Sequence, residues 1–242
     1  MSWAGTEPWD LYLGVTSSGL ADRQHGPIWK SHVDPLLAVQ VRLTELRNHV
    51  SGIWKPCVRV WMSGALLRPF IVEPLAGSSG EREAMAVATA RAAEATGLAE
   101  SASVWLDSTY ASKPRMAVAY SDNLVAALID AATSRKLKLL TVRPWWALAL
   151  DEALQHKPNL VVFAAEDVDS TTVLVSQADR WLVAETSCPP PLGSRLQAII
   201  ARRAFLADSP LSETWHARLD PESRPNVLGW PVSKRILAGV AA

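Results

Sequence analysis

Short apolar, strand-like runs alternate with helical segments along most of this 242-residue chain. The apolar stretch 11–15 reads as a buried strand, and Asp34 followed by Pro35 predicts a helix start, because Asp caps free N–H groups and Pro fits the first helical turn. Apolar spacing extends this helix to about His49. Further strands and helices alternate as far as residue 156. This order is typical of α/β proteins, in which helices cover the faces of a sheet.

The pattern changes after Pro158. Three strand candidates follow one another at 159–166, 170–177 and 180–185, which predicts an antiparallel meander. Three consecutive prolines from Pro189 then exclude a helix or a central strand, since proline lacks the N–H group that both would use. A helix is predicted after them. The last thirty or so residues are rich in proline and tryptophan, show no periodicity, and receive no assignment.

Composition restricts the function more than it defines it. Lys plus Arg equal Asp plus Glu at 24 each, so no overall charge attracts nucleic acid. Two cysteines without C-x-x-C spacing indicate neither a zinc site nor a disulfide framework, which fits a reducing cytoplasm. The N-terminus does not resemble a signal peptide, and no apolar run approaches the roughly 18 residues of a membrane span. We therefore expect a cytoplasmic chain without a metal and without a direct membrane span.

A hydroxyl-rich turn follows the first strand. It contains Thr16, Ser17 and Ser18 between Gly14 and Gly19, and such loops can direct several backbone N–H groups at a phosphate. The same composition also suits an ordinary turn between strands. The later stretch "DSTT", residues 169–172, raises the same pair of alternatives after another strand.

These two turns carry a resemblance to a known family. The N-terminus has a strand and a hydroxyl-rich turn, and much later come another strand, the "DSTT" turn and a meander. This order of elements resembles the layout of actin-like ATPases. Residues 115–200 in particular resemble the PilM and GspL group of type IV pilus and type II secretion machines. The resemblance implies a two-lobed actin-like (ribonuclease H-like) α/β fold with mixed sheets flanked by helices. Its lobes are expected at residues 1–112 and 113–242.

The same resemblance implies that nucleotide chemistry has been lost. Active members carry an aspartate in each hairpin, which positions magnesium or water, and a glycine two residues later. Here Thr16 and Ala165 fall at the two aspartate positions, and Ser18 and Asp167 fall at the two glycine positions. The residues expected to line degenerate phosphate hairpins are Thr16, Ser17, Ser18, Ser170 and Thr171. Glu166, Asp167 and Asp169 are expected to form a solvated turn.

Eleven tryptophans against three phenylalanines raise the expectation of a protein-binding surface. Core packing is the more frequent role of any single tryptophan. Adjacent residues on a helix point about 100° apart, so one of the pair at 145 and 146 is expected to reach a surface. The candidate partner-binding residues are Trp145, Trp146, Pro190, Pro191, Trp215 and Trp230.

The function expected from these observations is a non-catalytic scaffold of a pilus or secretion platform, which docks other platform proteins at the inner face of the inner membrane. Two alternatives stay open: an active ATPase or sugar kinase that uses ATP with magnesium through Asp167 or Asp169, and an unrelated α/β enzyme. Whether the chain forms a homodimer is also left open.

Overall fold

The computed structural model describes residues 8–21, 27–50, 55–74, 80–98, 102–107, 113–177, 180–191, 194–206, 214–219 and 232–235. The strands are β1 (Trp9–Leu13), β2 (Ser17–Ala21), β3 (Ile28–Ser31), β4 (Cys57–Met62), β5 (Leu67–Val72), β6 (Ala102–Leu106), β7 (Arg115–Ser121), β8 (Lys138–Pro144), β9 (Val162–Glu166), β10 (Thr171–Gln177), β11 (Arg180–Ser187), β12 (Thr214–Leu219) and β13 (Val232–Arg235). The helices are α1 (Pro35–His49), α2 (Glu81–Thr96), α3 (Asp122–Ser134), α4 (Trp145–His156) and α5 (Ser194–Leu206). Among these described residues, none of the helices has both the length and the apolar character needed to cross a membrane.

Two five-stranded sheets repeat one topology. The first has the order β3-β2-β1-β4-β8 and the second β11-β10-β9-β12-β13. In each, three antiparallel strands form a meander, a helix follows, and the next strand of the sheet lies parallel to the first strand of the meander. The sheets differ at one edge, where β8 is parallel to β4 but β13 is antiparallel to β12. The β1–β2 and β9–β10 hairpins therefore occupy equivalent places in the two sheets.

A smaller antiparallel sheet with the order β5-β7-β6 lies between β4 and α3 in the chain. The apolar face of α2 packs on it through Ala88 and Ala92, which contact a cluster that includes Phe70 and Val104. This unit is an insertion into the first lobe, because the chain returns from β7 through α3 to β8, which pairs with β4.

This return contradicts the expected lobe boundary at 112/113. A division there would separate β7 from β5 and β6, and β8 from β4. The first five-stranded sheet uses residues up to Pro144, and the second begins at Val162. Sequence order misled because β7 and β8 look like the start of a new strand–helix block, whereas their hydrogen-bonding partners lie earlier in the chain.

Local signals placed several elements correctly. Helix α1 spans Pro35–His49 as predicted, and the Asp34 side chain accepts a hydrogen bond of 2.8 Å from the N–H of Leu36. Helix α2 ends at Thr96 and is followed by Gly97, whose φ of +66° favours glycine. The predicted strand at 11–15 instead spans 9–13. The structure also forms β12 and β13 in the C-terminal stretch that received no assignment, because β12 gains its partner β9 only in the folded sheet.

Side chains of the central strands point alternately to the two faces of the sheet, and so contribute to two apolar cores. Leu11 and Leu13 of β1 face a core built with α1 and α3. Tyr12 points to the other side of the sheet, as the period of two in a strand requires, and joins a second core. That second core combines side chains of both five-stranded sheets with α4, including Trp145 and Phe163. This shared core holds the two equivalent hairpins next to each other.

Candidate functional site formed by two facing turns

The β1–β2 and β9–β10 turns match each other residue by residue. Leu13 pairs with Ser18 at the base of the first turn, and Glu166 pairs with Thr171 at the base of the second. In the first turn Gly14 N donates to the Ser17 carbonyl at 2.8 Å, and in the second Asp167 N donates to the Ser170 carbonyl at 2.8 Å. Each turn therefore contains four residues between its paired strands.

This register corrects the comparison made from sequence. Sequence alignment placed Thr16 and Ala165 at equivalent positions, but Ala165 lies within β9 and pairs with Thr172. The residue equivalent to Thr16 is Asp169. A carboxylate therefore does stand in the second turn, two residues beyond Asp167.

Asp169 reaches across to the first turn. Its Oδ2 accepts a hydrogen bond of 2.7 Å from Val15 N, and its Oδ1 accepts bonds of 3.2 Å from Thr16 N and 2.5 Å from Thr16 Oγ1. Gly14 permits this approach, since an ideal Cβ at position 14 would lie 2.0 Å from Asp169 Oδ2. Three donors of this turn that could hold a phosphate are thus directed at a side chain of the same protein.

Asp167 makes a second connection to the first sheet. It accepts hydrogen bonds from Ser63 Oγ at 2.9 Å and Gly64 N at 2.9 Å, in the loop that follows β4. Within its own turn it accepts from Asp169 N at 2.9 Å, Ser170 N at 2.8 Å and Ser170 Oγ at 2.9 Å. Burial raises the pKa of Asp167, and these hydrogen bonds offset part of that increase.

The site is enclosed and carries concentrated negative charge. Asp167 is 4% exposed and Asp169 is 9% exposed, so the expectation that they form a solvated turn is wrong. Burial, together with the charges of Asp167 and Asp169, holds the pKa of Tyr12 well above its usual value of 10.0. Tyr12 therefore stays protonated beside the carboxylates at neutral pH. Additional negative charge in this space would be repelled by both aspartates.

The other predicted phosphate-binding residues have separate surroundings. Ser18 is buried against α1, where its Oγ accepts a hydrogen bond of 2.9 Å from Arg42 Nε. Ser170 bonds to Asp167, as described above. The hydroxyls of Ser17 and Thr171 are buried and have no hydrogen-bond partner among the described residues. Of the five candidates, the structure brings Thr16 and Ser170 into the contact between the turns, and the decisive residues Asp169, Ser63 and Gly64 were not among them.

The tryptophan candidates lie in the core. Trp145 is 0% exposed, Trp146 3% and Trp215 5%, so the expectation that one indole of the 145–146 pair reaches a surface is wrong. The first turn of α4 is enclosed by both five-stranded sheets, which leaves neither direction open to solvent. Pro190 and Pro191 are half-buried in the segment after β11. Trp230 lies outside the described residues.

No arrangement suited to a metal ion is found in the described part of the chain, in the sense of three or more His, Cys, Asp or Glu side chains grouped together. Asp167 and Asp169 instead accept hydrogen bonds from N–H and O–H donors.

Comparison with known proteins gives structural matches only. No protein-family model matches the sequence, and no curated protein matches it. A structure of the PilM–PilN type IV pilus biogenesis complex matches with 16% identity and a TM-score of 0.51, over 81% of this chain and 65% of that one. The present chain therefore spans about two thirds of the length of that relative.

Two further structures match at lower TM-scores. The cytoplasmic domain of EpsL, an inner-membrane component of the type II secretion system of Vibrio cholerae, has 12% identity and a TM-score of 0.46, over 74% of this chain and 70% of that one. A Bacteroides thetaiotaomicron protein with an actin-like ATPase fold and unknown function has 9% identity and a TM-score of 0.49, over 90% and 84%.

The chain has the actin-like α/β fold. The match to the PilM–PilN structure shows that the two share a fold, and it confirms the structural resemblance to PilM that the sequence predicted. At this level of identity the match concerns the fold alone, so the role of the protein has to be argued from its own residues.

Proposed function

We propose that this protein is a non-catalytic structural component of a bacterial type IV pilus or type II secretion platform, and that it acts by docking other platform proteins at the cytoplasmic face of the inner membrane. The observation that carries the non-catalytic part is the occupation of the β1–β2 turn by Asp169. These three donors already bind a buried carboxylate, so they are not available to a phosphate. The fold shared with the PilM–PilN structure supports the platform context.

A docking role requires an accessible surface, and the buried tryptophans do not provide one. An accessible apolar surface is provided instead by Val33, Leu37 and Val41, whose exposed fractions are 97%, 59% and 44%. These three side chains, here called the β3–α1 patch, line a groove of about 320 Å³ between β3 and α1. Exposed apolar side chains beside a groove favour contact with an apolar segment of another protein. We propose the β3–α1 patch as the surface that meets a platform partner.

The docking proposal is tested with the platform proteins encoded in the same genome, expressed and titrated one at a time against the purified chain. Leu37→Asp and Val41→Asp should weaken binding at least about tenfold, since a charge in an apolar contact loses its hydration. Ile129→Asp is the matched control, because Ile129 is 48% exposed on α3, outside the patch. Equal affinity for patch and control variants would refute the patch, and no binding to any platform protein would refute the docking role.

The non-catalytic proposal is tested with nucleotide. Because Val15 N, Thr16 N and Thr16 Oγ1 already bind Asp169, millimolar ATP with magnesium should leave the unfolding temperature unchanged. An increase of several degrees would indicate binding and would favour the alternative of an active ATPase or sugar kinase.

A further inference from the structure

Three donors of the β1–β2 turn converge on one carboxylate that the other sheet supplies. They are Val15 N, Thr16 N and Thr16 Oγ1, and Asp169 accepts from all three. Successive backbone N–H groups directed at one point form a small concavity suited to an anion. The Asp169 side chain enters it from 154 residues away in the sequence. The contact is therefore part of how the two sheets fit together.

Two neighbouring residues adapt the structure to this contact. Any Cβ at position 14 would collide with Asp169 Oδ2 at 2.0 Å, so the observed position of the carboxylate depends on Gly14. Asp167 supports the turn from behind, because one of its carboxylate oxygens accepts a hydrogen bond from Asp169 N at 2.9 Å while the other accepts from Gly64 N at 2.9 Å. The turn that carries Asp169 is thereby tied to the first sheet at two points.

We propose that Asp169 is a built-in carboxylate ligand of the β1–β2 turn. It occupies the position in which that turn would hold an external anion and, supported by Asp167, fastens the two five-stranded sheets together at their equivalent hairpins. A phosphate could enter only by displacing a buried carboxylate and approaching the charge of Asp167. This assignment concerns the interior of the protein and holds whichever partner docks on the outside, so it stands or falls independently of the docking role.

A double-mutant cycle tests the contact. Gly14→Ala and Asp169→Ala should each lower the unfolding temperature by roughly 4 °C or more. In the Asp169→Ala background, however, Gly14→Ala should cost much less, since the atom it collides with has been removed. Gly97→Ala is the control: Gly97 has φ +66°, so alanine there is strained for a reason that does not involve Asp169, and its cost should be the same in both backgrounds. An equal cost of Gly14→Ala in both backgrounds overturns the proposal.

A milder cycle covers the case in which Gly14→Ala does not fold. Thr16→Val removes the hydroxyl donor and keeps the backbone donors of the turn. Its cost should be several degrees in the wild type and close to zero in the Asp169→Ala background. Additive costs overturn the contact.

Anion binding by the vacated turn tests the second part of the proposal. Inorganic phosphate, compared with sodium chloride of equal ionic strength, should raise the unfolding temperature of Asp169→Ala by several degrees and leave the wild type unchanged. Asp151→Ala controls for the loss of a surface carboxylate, because Asp151 is half-exposed in an ion pair with Arg143. No selective effect on Asp169→Ala overturns the assignment of an anion position. An equal effect on the wild type overturns the claim that Asp169 closes it.

Discussion

Replacing Trp145 by alanine should reduce the stability of the protein severely, because its side chain is a central part of the core. Trp145 is 0% exposed and lies at the start of α4, between the two five-stranded sheets. Removing the indole takes away contacts to both sheets at once. The expected result is a large loss of unfolding free energy, with any loss of partner binding following from unfolding.

The magnitude follows from the buried area. A tryptophan buries about 150–250 Å², which at about 25 cal/mol per Å² corresponds to about 4–6 kcal/mol. This is an upper bound, because the denatured chain already hides part of that area. Measured truncations of large aromatic residues cost about 3–5 kcal/mol. For a chain of this length each kcal/mol lowers the midpoint by about 2–4 °C, so Trp145→Ala should unfold at least about 6 °C below the wild type.

Phenylalanine substitutions at the two adjacent positions separate packing from hydrogen bonding. Trp146 Nε1 donates to the Leu67 carbonyl at 3.2 Å, whereas Trp145 Nε1 is buried and has no partner among the described residues. Trp146→Phe breaks a hydrogen bond, while Trp145→Phe removes an unpaired donor. Trp146→Phe should therefore cost about 1–3 kcal/mol more than Trp145→Phe.

Thermal and urea unfolding, followed by circular dichroism, measure the midpoint temperature and the free energy for both comparisons, with Val33→Ala as the exposed control at 97% exposure. If Trp145→Ala were as stable as Val33→Ala, the placement of Trp145 in the core would be refuted. Trp145→Phe that costs as much as Trp146→Phe, or more, would refute the hydrogen-bonding argument.

Two further predictions concern buried polar groups. Arg42 is 1% exposed and donates to Ser18 Oγ, to the Ser18 carbonyl and to the Ile28 carbonyl, so Arg42→Met should cost about 2–4 kcal/mol in urea unfolding. Arg143→Met, in an exposed ion pair, should cost under about 1 kcal/mol, and equal losses would contradict the buried role. Asp167 gives a pH dependence: its pKa in the folded state is raised above 3.8, so its contribution to stability falls as pH rises from 3.8 through that raised pKa. The unfolding free energy of the wild type minus that of Asp167→Asn should thus decrease across this window, and an increase would show that the hydrogen bonds outweigh burial.

The elements that could be predicted from the sequence are those that depend on interactions between residues close together in the chain. Asp34 and Pro35 mark the start of α1 through one capping bond and one fixed φ angle, which act within a single helical turn. The meander from β9 to β11 was likewise predictable, because each strand pairs with its neighbour in the chain. The order of such elements carried the resemblance to actin-like proteins.

Tertiary structure decided the rest, since the deciding contacts join residues that are far apart in the chain. Pairing of β8 with β4 moved the lobe boundary, and packing against both sheets buried Trp145. The same holds for the candidate site. Asp169 looks like a solvated turn residue in the sequence, and it becomes the ligand of Val15 and Thr16 only when two equivalent hairpins meet, because the donors and the acceptor are brought together by the sheets that carry them.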